Sequence, residues 1–130
     1  MARNTRIFSD LDFNFTAHPV TGDVARRYDE NAVKASLKNL ILTRNYERPF
    51  HSEIGTPIRA LMFEPATPML GVSLKRAITD VINNFEPRVN LTDVNVRVSP
   101  DTNSVYVTIE FTIVNTTGPI TLDLTLERTR

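Results

Sequence analysis

The chain has 130 residues, enough for one domain whose core buries roughly two-thirds of the unfolded surface. Its 41% hydrophobic and 23% charged residues are ordinary globular values, and 15 acids balance 15 bases, so nothing global attracts nucleic acid or an anionic membrane. There is no cysteine, which excludes disulfides, thiolate nucleophiles and zinc–thiolate centres together and permits a reducing compartment.

The opening segment, MARNTRIFSDLDF, carries basic residues but no apolar run of the secretory-signal kind, and residues 1–7 read as a flexible arm. No stretch approaches the roughly 18 apolar residues of a membrane span, so a soluble chain is expected. In LDFNFT, Leu11, Phe13 and Phe15 alternate with polar residues, the pattern of a half-buried strand. HPVTGDVARR then supplies a turn around Thr21-Gly22-Asp23, which makes a short hairpin or an extended excursion. Next, Val33, Leu37, Leu40 and Ile41 fall on one face of a helix, with Asp29 placed to cap its start.

The middle of the chain is broken by prolines. Thr56-Pro57 and Thr67-Pro68 each read as an N-cap followed by proline at the first helical position. The first opens a short helix, Ile58 to Phe63. The second opens a longer one with an apolar stripe of Leu74, Ala77, Ile78, Val81, Ile82 and Phe85, which Pro87 ends by disfavouring helical geometry at Glu86. After residue 88 the period becomes two. Val94, Val96 and Val98, then Val105 to Ile113, then Ile120 to Leu126 alternate across short turns, as in an antiparallel meander. The expected fold is α+β in one domain over residues 1–130. It has two layers: an N-terminal strand or hairpin, two main helices plus a short one, and a C-terminal three-stranded antiparallel meander.

Chemistry-bearing motifs are sparse. His18 and His51 have no histidine neighbour at metal-ligand spacing and read as loop residues, and the glycines are scattered singly, so neither a metal nor a nucleotide cofactor is expected. Arg26-Arg27, Lys75-Arg76 and the terminal ERTR are isolated basic doublets rather than a nucleic-acid stripe. Glu64 and Glu86 sit at comparable helix ends and could form a glycosidase-type carboxylate pair, but Arg88 beside Glu86 favours its ionised form, the wrong direction for a general acid. The bases comprise 12 arginines and 3 lysines, a bias that fits either interface pairing with carboxylates or genomic composition. Phe63-Glu64-Pro65 and Phe85-Glu86-Pro87 read as two similar helix stops.

TGD, a helix, ERPF, a lone glycine, LMFEP and finally EPRV before a meander, taken in that order, resemble one family over roughly residues 8 to 127. It is the small baseplate wedge protein, or sheath initiator, of contractile phage tails, also labelled tail-lysozyme-like, with relatives in type VI secretion baseplates. The resemblance implies a non-enzymatic structural role in the virion tail baseplate, assembled in the host cytoplasm, within a hetero-oligomer. Its implied partners are other baseplate wedge proteins and the tail sheath protein, with no nucleic acid and no membrane. Glu86, Pro87 and Arg88 match the family's docking signature, Glu64 its Phe-Glu-Pro and Arg48 its Glu-Arg-Pro-Phe, all without departure. The resemblance also implies that sheath arms extend the C-terminal sheet, so that removing Leu124 to Arg130 should stop sheath growth while leaving wedge binding intact.

Physically, Pro87 gives Glu86 and Arg88 a rigid base that loses little entropy on docking. The local alternative is that Arg88 is a helix-end cation and Glu86 its salt partner. Two other functions stay open: an anti-adaptor-like regulatory module of the same fold, and a tail-associated lysozyme using Glu64 and Glu86.

Overall fold

A computed structural model describes residues 8–12, 14–114 and 118–127. The expected arm at residues 1–7, Phe13 and the terminal ERTR beyond Glu127 lie outside the described residues. Strand β1 (Ser9–Leu11) pairs antiparallel with β2 (Arg26–Tyr28), and between them the chain makes the expected turn, closed where the Gly22 N–H donates to the His18 carbonyl at 2.9 Å. The half-buried strand expected through Phe15 is not formed. Leu11 is 50% exposed and Phe15 is 68% exposed with φ of +52°, because the chain turns at Asp12, whose carbonyl accepts the Phe15 N–H.

Helix α1 (Asp29–Leu42) buries Val33, Leu37, Leu40 and Ile41 as the spacing requires. Its start differs from expectation. Tyr28 occupies the N-cap without a side-chain bond, and Asp29 is the first helical residue, with φ of +46°. Asp29 instead clamps β1. Its carboxylate accepts the Phe8 N–H at 3.1 Å and its own N–H donates to the Phe8 carbonyl at 2.8 Å. A non-glycine residue at positive φ is held there by surrounding contacts rather than by preference.

Helix α2 is Ile58–Leu61, shorter than expected, and Pro57 rather than Thr56 is its N-cap. Thr56 is buried and donates its hydroxyl to the Ile41 carbonyl at 2.9 Å. That carbonyl belongs to the last turn of α1, where no helical N–H remains to satisfy it, so Thr56 caps the end of α1 and not the start of α2. The close approach this needs is possible because residue 55 is glycine. A Cβ there would lie 2.4 Å from the Arg44 carbonyl oxygen.

Helix α3 (Pro68–Phe85) has Thr67 at the N-cap position, without a side-chain bond, and Pro68 in its first turn. It ends where Pro87 requires, with the Glu86 N–H closing the last turn onto the Ile82 carbonyl. Strands β3 (Val89–Ser99), β4 (Ser104–Ile113) and β5 (Ile120–Glu127) form the antiparallel meander in that order. The register places Val94, Val96 and Val98 opposite Ile109, Val107 and Val105, and Thr108 opposite Asp123 on the other face. A bulge lies between Leu91 and Asp93. Helix α3 packs on β3 and α1 packs on α3, so one core of Phe111, Leu37, Leu74, Ile78 and their neighbours lies between the helical layer and the sheet. Among the described residues no helix is long and apolar enough to cross a membrane.

Candidate functional site

The junction of α3 and β3 carries the candidate site. Helix α3 stops at Phe85, so Glu86 leaves the helix with φ of −124° and points back against α1. Its residue is only 4% exposed. Arg88 donates to it in a fork, Nε to Oε1 at 2.7 Å and Nη2 to Oε2 at 3.0 Å, and Ser36 of α1 donates its hydroxyl to Oε2 at 2.6 Å. Pro87 between them holds the two-residue spacing that brings the fork onto the carboxylate. The Arg88 guanidinium also stacks over the Phe8 ring, 5.3 Å from its centroid.

Burial pushes the Glu86 carboxyl up, but the hydrogen bonds from Arg88 and Ser36, with the Arg88 charge, outweigh it and hold the group below the usual carboxylate range. The same bonds with Glu86, and more weakly the charge of Asp10, raise Arg88 despite its partial burial. Both oxygens of Glu86 are therefore occupied inside the chain. The Arg88 side chain keeps 29% of its surface exposed, and the fork uses only two of its five guanidinium N–H groups.

Beside this pair lies a cleft of about 470 Å³, lined by Asp10, Ser36, Asn39, Arg48 and Glu86 among others. Arg48, which lies far from Glu86 in sequence, is thus brought to the same surface by the loop after α1. Glu64 is not. It follows Phe63, which lines a different groove of about 790 Å³ beside Leu126 of β5. The last turn of α1 borders both surfaces, with Asn39, Leu40 and Thr43 on the first and Ile41 and Leu42 on the second. His51 is exposed beside Glu53 at 3.3 Å. Among the described residues no group of histidines and carboxylates could hold a metal ion.

The family profile described as baseplate wedge protein gp25 matches residues 27–117, a span that contains Arg48, Glu64, Glu86, Pro87 and Arg88. The baseplate wedge protein gp25 of enterobacteria phage T4 is 31% identical over 115 residues, which cover 88% of this chain and 86% of that protein. The chain belongs to the gp25 baseplate wedge family. Solved structures agree on the fold. A candidate tail lysozyme from Geobacter sulfurreducens superposes with a TM-score of 0.68 at 18% identity, over 75% of this chain and 89% of that one. A chain of the anti-feeding prophage baseplate gives 0.64 at 21% identity, over 95% and 87%.

Within this gp25-family chain, sequence reasoning missed Ser36, Phe8, Asp10 and Asp29 as parts of the site. Ser36 carried a signal: it sits three residues after Val33 and four before Leu40, a polar residue on the apolar side of α1. Phe8 and Asp10 carried none, because only the pairing of β1 with β2 brings them to Arg88.

Proposed function

We propose that this baseplate wedge protein acts as a structural, non-catalytic connector with two docking elements. Arg88 of Glu86-Pro87-Arg88 docks into neighbouring wedge proteins, and the free edge of β5 recruits the tail sheath by strand addition. The observation that carries the first element is the bidentate Glu86–Arg88 pair with Ser36 behind it. It turns the expected pair of docking forks into one. Glu86 is spent on orienting Arg88, and the partner meets an arginine whose direction is already fixed, so little side-chain entropy is lost on binding. Arg48, on the cleft that Glu86 lines, adds a second cation, and an acidic or carbonyl-rich helix end is the matching partner surface.

The second element rests on strand order. Among the described residues β5 pairs with β4 alone, and an edge strand of this kind offers backbone groups on its other side, the usual template for an added strand. For catalysis, Glu86 is on the wrong side of the usual carboxylate range for a general acid, and Glu64 is not among the residues that line the cleft beside it.

The test of the first element is co-purification with the neighbouring wedge proteins, comparing wild type with Arg88→Gln and Arg48→Glu. Loss of binding by variants that keep the wild-type urea midpoint is expected. Equal recovery of wild type and folded variants would return Arg88 to a purely local ion pair. The second element is tested by hydrogen exchange: outward-facing amides of residues 120–127 slow when the sheath subunit is added, and unchanged exchange there removes β5 from the interface.

A further inference from the structure

The groove beside β5 has a composition that strand addition alone does not call for. Its volume is about 790 Å³, and Ile41, Ile58, Leu126 and Met62 give it an apolar lining. Two further lining residues are apolar yet open to solvent, Phe63 at 71% and Leu42 at 39% exposed. Arg44 and Arg59 line it too, both exposed, and among the described residues neither forms an ion pair. A surface arginine needs no partner while water solvates it. Two arginines covered by a docking segment do, because desolvating unpaired cations costs more than apolar contact at their side returns.

We infer that this groove is a specificity pocket that selects an extended partner segment carrying apolar side chains and a carboxylate, the carboxylate meeting Arg44 and Arg59. The inference rests on the proposed strand addition at β5 and deepens it. A strand added to β5 lies about 4.8 Å beyond it and sends alternate side chains towards the helical layer. Those inward side chains enter the space bounded by Leu126 on the sheet side and Leu42 and Phe63 on the helix side. Glu127 also lines the groove at the end of β5, so a partner carboxylate is repelled from the sheet side and directed to the arginines of the helix side. Backbone pairing then supplies affinity without selectivity, and the groove supplies the selectivity.

The experiment is a binding titration of the sheath subunit of the same tail against the full chain. Wild type, the double variant Arg44→Glu/Arg59→Glu, and Phe63→Ala are compared at low and high salt, each checked for an unchanged urea midpoint. Hydrogen exchange of residues 120–127 is followed in the wild-type complex. The expected result is protection of β5 in the wild type, at least a tenfold loss of affinity in the double variant, and a salt dependence that the double variant lacks. Phe63→Ala weakens binding at both salt concentrations. If β5 is protected but the double variant binds as tightly and with the same salt dependence as wild type, the selectivity pocket is overturned while strand addition stands. If β5 is not protected, strand addition itself falls and the pocket falls with it.

Discussion

Glu86 shows how a single residue can be chemically prominent and yet unavailable. The Glu-Pro-Arg string, with its two charges around a rigid residue, was legible, and so was the direction in which Arg88 would shift its neighbour. What the string could not convey is that Ser36, fifty residues earlier, adds a second donor to the Oε2 that Arg88 already holds, so the carboxylate is tied down inside the chain while Arg88 stays partly exposed. Replacing Glu86 with alanine removes three hydrogen bonds to a charged group and is expected to cost about 2 kcal/mol, read as a lower urea midpoint at unchanged slope. The pH dependence follows from the depressed carboxyl. In the unfolded chain the group titrates near its ordinary value of 4.5 and in the fold below it, so its stabilisation is present above 4.5 and is lost as pH falls through the folded value. The urea midpoints of wild type and Glu86→Ala, apart at pH 7, should therefore converge in that acid window. A constant gap between them would show that the carboxylate charge contributes nothing. Thr56→Val is a second residue-scale case. It leaves the Ile41 carbonyl without its hydroxyl donor and should cost about 1–3 kcal/mol, measured by thermal or urea unfolding.

Elements were legible where one strong pattern governed them. The stripe on α3, Pro87 as its stop and the alternation of β4 and β5 are all read from local sequence, and all are present. Three readings failed for tertiary reasons. Asp29 and Thr56 are good capping residues diverted to Phe8 and Ile41, contacts that propensity cannot foresee. The aromatics around Asp12 alternate, but a turn, not a strand, follows. In β3 a readable signal was overlooked: Val89 and Leu91 are inward at odd positions, whereas Val94, Val96 and Val98 are inward at even ones. Only an extra residue reconciles the two phases, and the bulge between Leu91 and Asp93 is that residue. The consequence is a paired prediction. Deleting exposed Thr92 leaves every inward residue in phase and should change stability by less than about 1 kcal/mol. Deleting Asn95 slips the phase so that Val94, only 2% exposed, turns outward and Asp93 inward, and should cost at least about 3 kcal/mol. Urea unfolding of the two deletions compares them directly, and similar costs would mean that the phase argument is wrong. The burial of Leu124 and Leu126 also revises the expected effect of removing Leu124 to Arg130. That deletion takes out core side chains, so lost sheath growth would report unfolding rather than a lost edge.

For the whole molecule, the family motifs looked like one signature in sequence, and the fold divides them. Arg48 and Glu86 line the cleft beside β1 and Arg88 is bonded to that Glu86, whereas Phe63, next to Glu64, belongs to the groove beside β5. This division could not be read from spacing, since it depends on how the loop after α1 turns back across the end of that helix. It sets the two proposed docking faces one helical turn apart, and the question is whether they communicate. The shared turn is rigidly held: the Thr43 N–H and hydroxyl both donate to the Asn39 carbonyl, and Thr56 ties Ile41 from the other side. A turn fixed by several bonds offers no second arrangement for one partner to select, and without a two-state element coupling has no physical carrier. The two proposed interfaces should therefore be energetically independent. Combining Arg88→Gln with Arg44→Glu/Arg59→Glu should give losses in wedge binding and sheath binding that each match the separate variants within about 0.5 kcal/mol. Titrating the sheath subunit with and without bound wedge proteins should likewise give the same affinity. A tenfold change in sheath affinity on wedge binding would mean that the last turn of α1 moves on assembly, and that sheath recruitment is switched on by the baseplate rather than built into the free chain.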